Sequence, residues 1–170
     1  MILESRDDMP NQRQPNSRHC FVCGLSNPFG LQLCFDVTAP GEVTTLYTVP
    51  EKFQGFPGVV HGGVVAAMLD EVCARVHMGI DTPRFMYTAT LEVRYRKNIP
   101  IGQLLRIVGK AEKSKARTAK STGVIYGPDG DILAEAEALL VNVPEDMLSN
   151  VDLEALGWRV YEDQYEDSPP

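Results

Sequence analysis

Residues 62 to 79, GGVVAAMLDEVCARVHMG, constrain the fold more than any other stretch. The run is too long for a single strand, carries the helix formers Ala, Met and Leu, and stops at Gly79, so it reads as a helix. Val64, Val65, Ala67, Met68, Val72 and Val76 cover most of its circumference. A helix apolar nearly all round has to be surrounded by protein. The rest of the chain must therefore supply a wrapping for it.

That wrapping reads as strands. Leu31, Leu33, Phe35 and Val37 alternate with polar residues, the pattern of a half-buried strand, and VTTLYTV (43 to 49) pairs back across the APGE turn. After the helix come TATLEVRYR (88 to 96), QLLRIVGKAEKS (103 to 114), RTAKSTGVIYG (117 to 127) and DILAEAEALLVNV (131 to 143), the last two joined by GPDG. The order β-β-α-β-β-β-β predicts an α+β fold, with a curved antiparallel sheet wrapped around one long central helix. Residues 1–18 are polar, carry Pro10 and Pro15, and read as a flexible N-terminal arm. Residues 19–143 form the domain. Residues 144–170 form a C-terminal extension, with a short helix over 145 to 156 and the acidic tail YEDQYEDSPP.

Composition is that of an ordinary globular protein, 44% apolar and 23% charged. Met1 to Pro10 lacks the apolar core of a secretory signal, and no run is long enough to span a membrane. Four cysteines in a chain of 170 do not make a disulfide framework, so the expected setting is a reducing cytoplasm. The net charge of −7 is uneven: residues 94 to 120 hold nine of the sixteen bases and one acid, Glu112. Such a window suggests an anionic partner, or else sheet edges protected by charge. Nucleic acid is a poor partner for a chain of pI 4.9 without a recognition motif.

Asp70 and Glu71 sit inside the apolar helix, where an unpartnered carboxylate costs several kcal/mol. HGGVVAAMLDE with FPGVV before it, TATLEVRY after it, and CFVCGLSNPFGLQL at residues 20 to 33 carry a resemblance. Together they resemble the HGG-motif acyl-CoA thioesterases of the hotdog fold, most of all the phenylacetate-degradation and THEM-type branch. The resemblance covers about residues 19–143. It implies hydrolysis of an acyl-CoA to free acid and CoA, with no cofactor, by a homodimer or a dimer of dimers. A non-catalytic acyl-CoA-binding or regulatory protein of the same fold is the alternative, although such a protein gains nothing from a carboxylate aimed at the thioester.

The residues make chemical sense for that reaction. Gly62 and Gly63 open the helix, so their N–H groups belong to its unsatisfied first turn, and a substrate can approach them closely. Such donors, with the helix dipole, can hold an oxyanion. Asp70 supplies the carboxylate that the family pattern makes functional, as general base or nucleophile, and the general-base route is preferred. Glu71 points about 100° away and reads as a flanking charge or structural partner. Gly62 and Asp70 lie eight residues apart, about 12 Å along one helix, so one carbonyl cannot touch both within a chain. Two antiparallel helices in a C2 dimer would bring Gly62 of one subunit to Asp70 of the other.

On the following strand Thr88 and Thr90 share a face by the period of two. The family's water-orienting Ser or Thr falls on Thr88. Relatives often carry Asn or Gln six residues before the His; that position is Gly55 here, with Gln54 beside it as a substitute. His61 can touch substrate or brace its loop. Arg94, Arg96 and Lys97 are the candidate contacts for the CoA phosphates. No metal site is complete in the sequence: His77 shares a helical face with Asp70, and Cys20-x-x-Cys23 is half of a zinc pattern, but neither has a second half.

Overall fold

The computed structural model describes residues 12–79 and 83–161, so the first eleven residues of the expected arm and nearly all of the acidic tail lie outside the described residues. Helix α1 runs Gly62–Arg75. Its turns beyond Arg75 are closed by single hydrogen bonds, His77 N–H to the Ala74 carbonyl and Met78 N–H to the Arg75 carbonyl, so it ends one turn earlier than expected. Among the described residues seven antiparallel strands surround it: β1 (Gln12–Arg13), β2 (Asp36–Ala39), β3 (Glu42–Thr48), β4 (Met86–Tyr95), β5 (Leu104–Ser114), β6 (Thr118–Tyr126) and β7 (Ile132–Asn142). They form one sheet in the order β1-β2-β3-β5-β6-β7-β4. The expected curved sheet around a central helix is the architecture observed.

Close approach of helix to sheet rests on small residues. Val43, Gly109, Gly123, Ala136 and Val93 stand opposite one another in register across β3, β5, β6, β7 and β4. A Cβ at Gly109 would lie 2.5 Å from the Val72 carbonyl oxygen, and one at Gly123 would lie 3.1 Å from Cys73 Sγ. Over this trough Val65, Met68, Leu69 and Val72 are buried among Leu105, Ile107 and Ile125.

Three elements depart from the sequence reading. Leu31, Leu33 and Phe35 are buried in alternation as expected, but the ladder begins only at Asp36. The N–H groups of Leu31 and Leu33 are committed at 2.8 Å to the carbonyls of Phe21 and Val22, and Gln32 has φ 57, outside the strand region. The short helix α2 covers only Glu145–Leu148. Residues 12–18, expected as part of an arm, pack on the body: β1 pairs with β2, and Gln14 and Asn16 are 1% and 2% exposed. Asn16 Nδ2 donates to the carbonyls of Cys23 and Leu33, both at 2.7 Å, and Gln14 Nε2 donates to that of Arg75 at 3.0 Å. Their amides satisfy buried carbonyls, an ordering force that a polar composition does not reveal.

Candidate active site

The helix start is built around His61. This residue caps α1, with Nδ1 accepting the N–H of Gly63 at 2.9 Å. Of the two glycine donors expected to face a substrate, Gly63 is thus committed to the cap and Gly62 remains in position. Tyr95 Oη donates to the Gly62 carbonyl at 2.8 Å, which fixes that peptide from the sheet side. A cleft of about 650 Å³ opens here, lined among others by Phe56, His61, Gly62, Tyr95, Arg96 and Lys97. Gln54 braces the loop before it, its Oε1 accepting the Gly58 N–H at 3.0 Å. Sequence reasoning missed Tyr95. Its signal was the Leu91, Val93, Tyr95 alternation, which continues the helix-facing side of β4 up to the glycines.

Asp70 and Thr88 meet further along α1. Thr88 Oγ1 donates to Asp70 Oδ1 at 2.6 Å, a short charge-assisted bond. The shared face expected for Thr88 and Thr90 is not observed. Thr88 stands opposite Leu140 and Thr90 opposite Leu139, so the register shifts between them. That bulge turns Thr88 toward the helix and Thr90 to the outer face, because Leu140 and Leu139 point to opposite sides of β7. Within the chain neither Asp70 nor Thr88 lines the cleft at Gly62.

The basic residues divide. Arg96 and Lys97 lie at the cleft, Arg96 paired with Glu135 and Lys97 with Asp131 at 2.5 Å, all at least partly exposed. Arg94 faces the outer side of the sheet, where it pairs with Glu92 at 2.9 Å and borders a groove with Thr122, Val124, Glu137 and Glu135, the carboxylate that also holds the Arg96 guanidinium. Lys110, Lys113 and Lys120 lie on β5 and β6, which are interior strands, so protection of an open edge does not account for them.

Glu71 faces away from Asp70. Its Oε1 accepts from Arg75 Nε at 2.9 Å, and Arg75, itself 0% exposed, donates to the Pro15 carbonyl at 2.7 Å and stacks on Phe35 and Trp158. Burial pushes the Glu71 carboxyl up to about 7, against the pull of the Arg75 guanidinium. The Cys20 thiol is held down at about 6, first by a hydrogen bond from the Cys23 side chain and against the opposing effect of burial. Cys23 is raised to about 12, first by that same hydrogen bond and then by burial.

Residues 57–134 match the thioesterase superfamily. This segment belongs to the thioesterase superfamily, and the sheet around it has the hotdog fold. The chain is 29% identical over 116 residues to the acyl-coenzyme A thioesterase THEM4 of Xenopus laevis, covering 67% of this chain and 51% of that relative. It therefore spans about half the length of that curated relative. A crystal structure of a thioesterase superfamily protein superposes with TM-score 0.66 at 31% identity, over 73% of this chain and 60% of that one. A hypothetical thioesterase of Streptococcus pneumoniae, solved with coenzyme A, superposes with TM-score 0.57 at 18% identity, over 61% and 80%. The matched segment thus opens on α1, with its glycine start and Asp70.

Proposed function

We propose that the chain hydrolyses acyl-CoA thioesters in a homodimer whose two active sites each combine Asp70 and Thr88 of one subunit with Gly62 of the other. The observation that carries this reading is the Thr88–Asp70 hydrogen bond on a helix whose first turn presents the Gly62 N–H. With Oδ1 engaged by Thr88, Oδ2 takes the proton of an attacking water, and the Thr88 oxygen accepts that water's second hydrogen. The thioester carbonyl, receiving the negative charge, accepts the Gly62 N–H, a contact of the kind worth about 2.7–4 kcal/mol. Collapse of the tetrahedral intermediate releases CoA thiolate and the free acid.

Assembly follows from the sheet edge. Among the described residues β4 is paired on one side only, is exposed along most of its ten residues, and carries Tyr87 and Tyr95 at 49% and 55% exposure. A long open edge with aromatic residues is a template for pairing with another strand. Pairing two copies there supports the antiparallel juxtaposition of their helices that the 12 Å separation requires, and a dimer of dimers is compatible with it. Arg96 and Lys97 supply phosphate contacts at the cleft. Their ion pairs are exposed, so exchange for a phosphate costs little. The coenzyme A held by the Streptococcus pneumoniae neighbour supports a CoA ester as ligand. The reading keeps the cytoplasmic setting suggested by cysteine usage. Among the described residues no helix is long and apolar enough to cross a membrane.

A hydrolysis screen over short, long and aromatic acyl-CoAs with the wild type and Asp70→Asn tests the reading. The variant is expected to keep KM and lose about 10²–10⁴ in kcat. Thioester binding without turnover in the wild type would instead leave a non-catalytic acyl-CoA-binding protein.

A further inference from the structure

Away from the acyl-transfer residues, the tight turn at Cys20–Gly24 and the outer side of α1 bring three metal-binding side chains together. The ligand atoms of Cys20, Cys23 and Glu71 all lie within 4.8 Å of one another. The turn is shaped around the Cys20 sulfur. Sγ accepts the N–H of Val22 at 3.3 Å and of Cys23 at 3.4 Å, while Gly24 N–H closes on the Cys20 carbonyl at 2.9 Å. A Cβ at Gly24 would lie 2.3 Å from that carbonyl oxygen, so the closure requires glycine. Two backbone donors on one sulfur favour the thiolate, the form that binds metal.

The third donor arrives already oriented. Arg75 holds Glu71 Oε1, leaving Oε2 at 4.0 Å from Cys20 Sγ. A partner fixing the ligand from behind is the usual outer shell of a metal-bound carboxylate. Charge points the same way. Two thiolates, one carboxylate and the Arg75 guanidinium sum to −2, which a divalent cation neutralises. Arg75 Nη2 is buried without a hydrogen-bond partner among the described residues, and Arg75 and Cys23 act on one another electrostatically. A thiolate at Cys23 would carry negative charge that this guanidinium attracts.

We propose that Cys20, Cys23 and Glu71 form a binding site for a borderline-soft divalent cation of the zinc type, held by two thiolates and one carboxylate, with water in the fourth position. Thiolate sulfur with a carboxylate oxygen suits zinc better than calcium or magnesium, which take oxygen alone. Binding releases the thiol protons to solvent and involves no change of oxidation state. The site ties the packed N-terminal segment to α1 one residue beyond Asp70, and it does not depend on the thioesterase reading.

Titration of the reduced 170-residue chain with Co²⁺ tests this. One equivalent is expected to bind, with an intense thiolate-to-cobalt charge-transfer band and tetrahedral d–d bands, both lost on adding Zn²⁺. X-ray absorption of the zinc form should show two sulfur scatterers with lighter atoms completing the shell. Cys20→Ser and Cys23→Ser should each weaken Zn²⁺ binding by at least the roughly 10–100-fold that loss of an outer-shell contact alone costs, and Cys34→Ser should leave it unchanged. Because the wild-type spectra suffice, the test survives a variant that does not fold. A cobalt complex without thiolate charge transfer, a sulfur-free zinc shell, or a Cys20–Cys23 disulfide formed with oxidised glutathione equally fast with and without Zn²⁺ would overturn the proposal.

Discussion

Thr88 Oγ1 donates a 2.6 Å hydrogen bond to Asp70 Oδ1, joining β4 to α1 where the register of β4 shifts. The bond consumes the hydroxyl proton and leaves the Thr88 oxygen as an acceptor, so the pair can hold a water by both of its hydrogens. Thr88→Val keeps the shape and removes the bond. A hydrogen bond to a charged group contributes about 1.5–3 kcal/mol, so kcat should fall about 10–10²-fold with KM nearly unchanged. Thr88→Ser should restore most of the rate. Steady-state kinetics on one good acyl-CoA decide it, and a fully active Thr88→Val enzyme would remove Thr88 from the site.

The proposed sharing of the site between subunits predicts complementation. Asp70→Asn and Gly62→Pro homodimers each lack one group in both sites, and proline is tolerated in the first turn of a helix. In a mixed dimer both lesions fall in one site and the other is complete. Purified heterodimers should regain about half of the wild-type activity, given two independent sites. Folded heterodimers as inactive as their parents would show that the groups do not act across an interface.

Arg96 and Lys97 border the cleft in exposed ion pairs with Glu135 and Asp131. Lys97→Ala should raise KM for a CoA ester about 3–10-fold with kcat unchanged, the signature of uniform binding. It should also flatten the rise of KM with salt, because screening acts on the phosphate contact that is lost. Arg94→Ala, on the other face of the sheet, should change neither.

Gly109 lies under the Val72 carbonyl with no room for a side chain. Gly109→Ala forces helix and sheet apart and should cost about 1–3 kcal/mol, read as a lower denaturant midpoint. Gly123→Ala meets movable side-chain atoms at 3.1 Å and should cost less.

Arg75 clamps the two ends of the described chain to α1, through the Pro15 carbonyl on one side and the Trp158 ring on the other. Arg75→Met leaves Glu71 without its cation and should destabilise the fold by about 3–5 kcal/mol, the cost of breaking a buried pair. Trp158 is the sole tryptophan, so its emission should shift to the red as the ring loses its packing against Arg75 and Phe85. An unchanged spectrum would show that the C-terminal segment is held by other contacts.

The amino-acid sequence by itself determined the central helix, the strands around it and the turn at Gly127–Gly130, because apolar periodicity and turn residues act locally. It also marked Asp70 and Gly62, since a carboxylate and paired glycines in an apolar helix conflict with burial and packing alone. Tertiary structure alone decided what depends on register and distance. The bulge in β4 is set by pairing with β7 and turned Thr88 inward, where strict alternation aligned it with Thr90. The cap at His61 engaged the Gly63 N–H that was expected to face a substrate, a choice made by side-chain geometry. Gln14 and Asn16 became part of the core because their amides meet carbonyls far along the chain. The Cys20, Cys23 and Glu71 cluster joins residues some fifty positions apart, a proximity that no local pattern encodes.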